Sequence, residues 1–284
     1  MKILICGDLH GSAAPIRNFY EDLKDLNFED TWIILLGDSG LNYYDSARDS
    51  GFKDVLSHMP FKYFIIRGNH DRRVAPLVAR NKKKDAWHDT TVFGGKAYYQ
   101  LHYPNIYYAA DEGGIYNIDG RKTLIIPGAY SVDKHHRLFK GWNWFEDEQL
   151  TKQEQKALMG MARGQSFDLV LSHTCPYSWM PTDLFLDCVP QETVDNSMEK
   201  WMDKLRKKTI YGLWCFGHFH ADRAERPWAQ MFYKEVQMLD SVLMDWTHYE
   251  FTGDLPYHCL KSPQFNQKDP TLWQKIKSLF KKGR

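Results

Sequence analysis

Several things are scarce in this chain of 284 residues, and each scarcity excludes something. Cysteine is one. Cys6, Cys175, Cys188, Cys215 and Cys259 are scattered, odd in number and form no Cys-x-x-Cys pair. That pattern argues against a disulfide framework and fits the reduced thiols of a cytoplasmic protein. Excess charge is also missing: 37 Lys and Arg stand against 36 Asp and Glu, for a net charge of +1. No global field is available to draw duplex nucleic acid or an anionic membrane, so the sequence carries no strong nucleic-acid signal. Long apolar runs are absent too. None approaches the roughly 20 residues that span a bilayer, so no transmembrane segment is expected. The run after Met1 stops at Gly7-Asp8, too short for a signal peptide. No repeat or low-complexity linker breaks the chain. The expected location is the cytoplasm.

Aromatic residues, by contrast, are plentiful at 15%, with 10 Trp and 16 Tyr. Most rings belong in a core of this size, and a few are candidates to line a cleft. Short apolar runs recur. Lys2 to Cys6 leads into Gly7-Asp8, Trp32 to Leu36 into Gly37-Asp38, and Tyr63 to Ile66 into Arg67-Gly68-Asn69-His70-Asp71. Each reads as a buried strand ending in a polar loop. Ile16, Phe19, Tyr20, Leu23 and Leu26 recur at helical spacing between the first two runs. Strands alternating with helices imply a parallel sheet whose ligands bind beyond the carboxyl ends of the strands.

The second half follows the same pattern less regularly. Leu124 to Pro127, Asp168 to Leu171 and Tyr211 to Phe216 read as strands, and Glu146 to Arg163 and Glu192 to Lys208 as helices. Met231 to Leu239 and Val242 to Phe251 alternate enough to predict a β-hairpin around Asp240-Ser241. Two sheets face to face with helices outside are expected. The domain is expected to span residues 1–260. Residues 261–284 are expected to form a basic amphipathic tail, with Leu272, Trp273, Ile276, Leu279 and Phe280 set among lysines.

The polar residues at the strand ends carry the chemistry. Asp8 and His10 alternate past the first strand, and Asp38 follows the second. Singly, such acids often only cap helices. Asn69-His70-Asp71 adds an uncommon metal ligand and an imidazole beside an acid. His173 follows the fifth apolar run. His218 and His220, two residues apart in extended chain, point the same way and can reach one centre. Carboxylates with imidazoles suit manganese, iron, zinc or cobalt better than calcium.

Gly7-Asp8-Leu9-His10-Gly11, Gly37-Asp38, Gly68-Asn69-His70-Asp71, Ser172-His173 and Gly217-His218-Phe219-His220 together resemble the five ordered blocks of the calcineurin-like metallophosphoesterase superfamily. The resemblance implies a four-layer α/β/β/α sandwich of two mixed sheets with flanking helices, and a dinuclear site at the strand carboxyl ends. It implies that Asp8, His10 and His220 hold one divalent cation, that Asn69, His173 and His218 hold the other, and that Asp38 bridges them. Manganese is the first expectation for both cations, with iron, zinc or cobalt as alternatives. Such a pair shares a hydroxide and stabilises attacking and leaving oxygens in line. His70, paired with Asp71, is the expected catalytic histidine on the substrate side.

Some residues depart from the pattern. Leu41 stands where many relatives carry a second acid after the bridging one. Arg67 before Gly68-Asn69-His70 resembles the Ser/Thr protein phosphatase branch, but Asp71 stands where that branch has Glu. Arg67 is thus a candidate phosphate ligand or a structural charge. Gly128 to Arg137 follows a strand and is rich in phosphate-binding side chains. His136 and Arg137 are candidate substrate ligands there, with Trp142 or Trp144 against the leaving group. Lys82-Lys83-Lys84 reads as an exposed stretch, and Asp183 to Glu192 as a loop over the site.

The function expected is hydrolysis of a phosphomonoester or phosphodiester. The substrate is a phosphorylated small molecule, a nucleotide or a phosphoprotein. A nuclease or cyclic-nucleotide phosphodiesterase is the alternative, and a non-catalytic metal-binding scaffold a further one, disfavoured by the presence of His70.

Overall fold

The structure, a computed structural model, describes residues 1–24, 27–44, 46–80, 87–185, 189–226 and 228–252. Its first half contains β1 (Lys2–Cys6), α1 (Ala14–Asp22), β2 (Thr31–Leu35), α2 (Ala47–Ser57), β3 (Lys62–Ile65) and α3 (Ala75–Ala79). Then come β4 (Trp87–Val92), β5 (Gly95–Gln100), β6 (Tyr103–Ala109), β7 (Gly114–Ile118) and β8 (Arg121–Ile126). The second half adds α4 (Lys134–Lys140), α5 (Lys152–Ala162), β9 (Ser166–Ser172), α6 (Ser197–Arg206) and β10 (Ile210–Phe216). It closes with β11 (Arg223–Arg226), β12 (Ala229–Met231), β13 (Gln237–Met238) and α7 (Leu239–Thr252).

The strands form two mixed sheets. One runs β13-β1-β2-β3-β6-β5-β4 and the other β11-β12-β10-β9-β8-β7. β1, β2, β3 and β6 are parallel, as are β8, β9, β10 and β12. The period-two geometry of a strand explains why the runs are apolar throughout. Ile3, Ile5, Ile34 and Phe64 face Leu169, Leu171, Leu213 and Cys215 in the layer between the sheets. Their neighbours Leu4, Ile33, Leu35 and Tyr63 face outward and join Ile16 of α1 and Leu56 of α2 in a second core. On the far sheet Val170, Trp214 and Phe216 face outward beneath Leu158 of α5 and Met202 and Leu205 of α6. The result is a four-layer α/β/β/α sandwich, as expected.

Three boundaries differ from the expectation. Helix α5 begins at Lys152 rather than near Glu146, because Thr151 caps it and Glu154 closes a capping box. Residues 192–196 stay outside α6, which starts after Asn196. The predicted hairpin is instead β13 followed by α7. Leu239, Val242 and Trp246 recur three and four residues apart and are all buried in the core between the sheets, a helical face rather than a strand face. Strands β4 to β7, several of them mixing Tyr, Thr and charged residues, were not read from the sequence at all. Lys82-Lys83-Lys84 and the expected tail at 261–284 lie outside the described residues. Among the described residues no helix is long and apolar enough to cross a membrane.

Candidate metal centre

Five parallel strands deliver their carboxyl ends to one place. Asp8 and His10 follow β1, Asp38 follows β2, and Asn69 and His70 follow β3. His173 follows β9, and His218 and His220 follow β10. Nitrogen or oxygen atoms of Asp8, His10 and His220 lie within 4.8 Å of one another. The same holds for Asp38, His173 and His218, and for His10, Asp38 and His70. Asp38 and His10 each belong to two of these sets, so the three sets form one continuous cluster.

The backbone beneath it is strained. Among the described residues, His10, Asp38, His218 and His220 have φ values of 47°, 46°, 73° and 54°. Non-glycine residues avoid this left-handed region at a cost of about 1–2 kcal/mol each. Such strain concentrates where a site needs side chains aimed inward. Gly37, at φ 105°, tolerates what they do not, and a Cβ there would overlap the His173 ring. Gly68 is equally tight: a Cβ on it would meet the Asp38 carboxylate.

Hydrogen bonds then fix each ligand. The amide of His70 donates to Asp38 Oδ1 at 2.8 Å, and that of His218 donates to Asp8 Oδ2 at 2.9 Å. His173 Nδ1 is 2.7 Å from the Leu36 carbonyl, and its Nε2 is 2.9 Å from Asn69 Oδ1. Asn69 Nδ2 donates to Ser131 Oγ at 3.0 Å, so its amide oxygen is the atom turned into the cluster. Ser131 Oγ in turn accepts from Arg137 Nη1 and donates to Glu148 Oε2. One hydroxyl therefore uses two lone pairs and its proton to hold Asn69. The His220 ring stacks on Tyr233 with centroids 4.8 Å apart.

The electrostatics follow from burial. Burial disfavours charge on His173, but the Asp38 and Asp8 carboxylates outweigh it and lift that ring to about 9. Burial pushes Asp8 up to about 8. Burial also opposes ionisation of Asp38, yet His173, His70 and His10 hold it well below the usual carboxylate range. Burial pushes His10 down to about 4, and His218 and His220 are lowered for the same reason. Neutral imidazole is the metal-binding form. His10 Nε2 and His220 Nε2 lie 3.0 Å apart beside the Asp8 carboxylate, close enough for both ring nitrogens to bind one cation in place of the hydrogen bond between them. The residues present therefore fit divalent cations.

Other expected site residues fall elsewhere. Asp71 is buried and turned away from the His70 ring. It accepts from Gly68 N at 2.9 Å, from Ser39 N at 3.4 Å and from Ser39 Oγ at 3.2 Å. It ties the loop of Asp38 to the loop of Asn69, and the expected His70–Asp71 pair is not formed. Instead, His70 Nε2 lies 3.9 Å from Asp38 Oδ2, and its ring stacks on Tyr43.

Arg67 is only 5% exposed. It donates to the Glu148 and Asp111 carbonyls, so it is a strut beneath the site rather than a phosphate ligand. Arg137 is 1% exposed and committed to Ser131 and, through Nη2, to the Tyr43 hydroxyl. His136 is exposed against Trp142. Trp142, Tyr43, Tyr44 and Arg48 line a cleft of about 240 Å³ beside His10 and His70. Arg48, whose guanidinium lies 4.2 Å above Tyr44, is a cation at the site that the sequence reading missed. Its position in α2, away from any strand end, gave no signal.

A four-layer sandwich that gathers carboxylates and imidazoles at its strand ends defines a class of metal-dependent phosphoester hydrolases. This chain belongs to the calcineurin-like phosphoesterase family, which it matches over residues 1–222. A solved structure aligned with it is the crystal structure of phosphopantetheinyl hydrolase from Mycobacterium tuberculosis. The two share 13% identity over 94% of this chain and 98% of that one, with a TM-score of 0.35. No curated protein matches the chain.

Proposed function

We propose that this protein hydrolyses a phosphomonoester or phosphodiester with two divalent cations held at the cluster, manganese foremost. The observation that carries this reading is the continuity of the three ligand sets through Asp38 and His10. Asp8, His10 and His220 would hold one cation, Asn69, His173 and His218 the other, and Asp38 both. Bound there, the pair supplies positive charge for the phosphate oxygens and makes a water more acidic.

The chain's own residues supply the rest. His70 lies on the open side of the cluster, 26% exposed, with its ring steadied by Tyr43. It is the group that gives a proton to the departing oxygen. Asp71 acts through the backbone, holding the two loops that present Asp38 and His70. Arg48, exposed on the cleft wall, meets negative charge on the substrate.

Replacing His70 by Ala tests the assignment. A proton donor matters most when the leaving oxygen is basic. His70→Ala is expected to lower kcat on an alkyl phosphate by about 10²–10⁴. The loss on p-nitrophenyl phosphate should be much smaller, and bound metal should be unchanged. Equal losses on both esters would remove His70 from the proton-donor role.

A further inference from the structure

The cluster opens on a second pocket of about 480 Å³, whose lining does not include Arg48. Its floor is the site itself: His10, Asp38, Asn69, His70, His218 and His220. Its wall is of different chemistry. Val132, Leu184, Phe185, Val189 and Val194 line it, yet they belong to none of the three core clusters. Val132 is 45% exposed and Leu184 37%. Five apolar side chains held open beside a polar cluster cost free energy in water, and a bound apolar group recovers it. The wall is also anchored. Arg223 grips Asp183, next to Leu184, through two hydrogen bonds of 2.7 and 2.9 Å, and Ser178 is held by Asp203.

Polar groups share the wall: Tyr130, Asp133, Gln191, Asn196 and Glu199. Among these Glu199, at the start of α6, is buried, with Thr174 as its neighbouring hydroxyl and its Oε2 otherwise without a donor. A buried oxygen short of donors is destabilising, and a ligand donor relieves it. The volume is of the size that takes a small organic molecule.

We propose that this pocket takes the organic group of the ester: an apolar body, bicyclic in size, carrying an N–H or O–H donor for Glu199. This rests on the phosphoesterase reading and adds the substrate class to it. Phosphorylated polar alcohols of the glycerol type lack both the apolar surface and its fit, and are poor substrates.

The experiment compares naphthylethyl phosphate, indolylethyl phosphate and glycerol phosphate on the manganese-loaded protein. All three are primary alkyl esters, so leaving-group basicity is similar. The naphthyl ester is expected to exceed glycerol phosphate in kcat/KM by at least about tenfold. Leu184→Ser and Val194→Ser should shrink that ratio severalfold. The indolyl ester, with its N–H, should gain about a further tenfold over the naphthyl ester, and Glu199→Leu should erase that gain.

Equal kcat/KM for naphthyl and glycerol esters overturns the pocket assignment and leaves the phosphoesterase reading intact. An indolyl gain that survives Glu199→Leu overturns the role of Glu199. If neither these monoesters nor bis-p-nitrophenyl phosphate is hydrolysed, the phosphoesterase reading fails by itself. Calorimetric titration with naphthylmethylphosphonate against methylphosphonate then decides the pocket: tighter binding of the naphthyl compound upholds it, and equal or absent binding refutes it.

Discussion

Asp38→Asn is expected to lower phosphoester hydrolysis by at least about a thousandfold while leaving a cooperatively folded protein. Charge and valence are what the substitution changes. Asparagine keeps the shape of the side chain, so the buried neighbours still pack. It loses the negative charge and one of two equivalent oxygens, and with them the means to serve both halves of the cluster. Asp38 Oδ1 lies 3.4 Å from His173 Nε2 and accepts the His70 amide, while Oδ2 lies 4.0 Å from His10 Nε2 and 3.9 Å from His70 Nε2. These contacts join Asp38 to both halves of the cluster, which meet through it and His10. Loss of a partner outside the coordination shell commonly costs about 10–100-fold. Loss of one preorganised charge-stabilising group costs about 10²–10³. A ligand common to two cations, the role proposed for Asp38, would combine the two effects. Elemental analysis should find bound manganese reduced in the same variant. Wild-type metal content with wild-type kcat/KM would show that Asp38 is not the shared ligand.

Gly37→Ala is expected to destabilise the protein by about 2–6 kcal/mol, one of the larger effects available from adding a single methyl group. Two independent costs meet at this position. The backbone φ of 105° is open to glycine and strained for any L-residue, by about 1–3 kcal/mol. A Cβ there overlaps the His173 ring, which is itself fixed by the Leu36 carbonyl and Asn69, so neither neighbour can give way. Overpacking of this kind costs about 1–3 kcal/mol. Gly94→Ala isolates the first cost. Gly94 has φ 73° with nothing within 4 Å of its Cβ position, and its substitution should cost only about 1–2 kcal/mol. Denaturant midpoints at unchanged slope measure both. Gly37→Ala should also lose metal, because His173 is the side chain displaced. If the two variants prove equally stable and equally loaded, the close approach of Gly37 to His173 is not a constraint.

Much of this architecture was legible in the sequence, and the residues say why. Parallel strands buried on both faces must be apolar throughout, so Lys2–Cys6 and the runs near 32–36 and 63–66 stood out, and the polar residues after them marked the site. The antiparallel edge was not legible. Strands such as Trp87–Val92 and Gly95–Gln100 are half-exposed and mix Thr, Lys and Tyr, so no run appears. The segment 239–252 misled because apolar residues three and four apart in a short stretch also alternate approximately. Adjacency in sequence misled at the third block. Asp71 follows His70 in the chain, yet the turn sends its carboxylate back to Ser39 and Gly68. Arg67 precedes Gly68, yet its guanidinium reaches the carbonyl of Glu148, 81 positions away. Side-chain direction at a tight turn depends on contacts that are distant in sequence, and the Ser131–Glu148–Arg137 support of Asn69 is of the same kind.

The most direct test of the central claim is a titration of manganese into chelator-stripped protein while hydrolysis of p-nitrophenyl phosphate is followed. Two cations acting at the cluster give no turnover without metal and a rate that rises until two equivalents are bound. Turnover in the presence of EDTA, saturation at one equivalent, or two bound equivalents with no turnover of any phosphoester would contradict it.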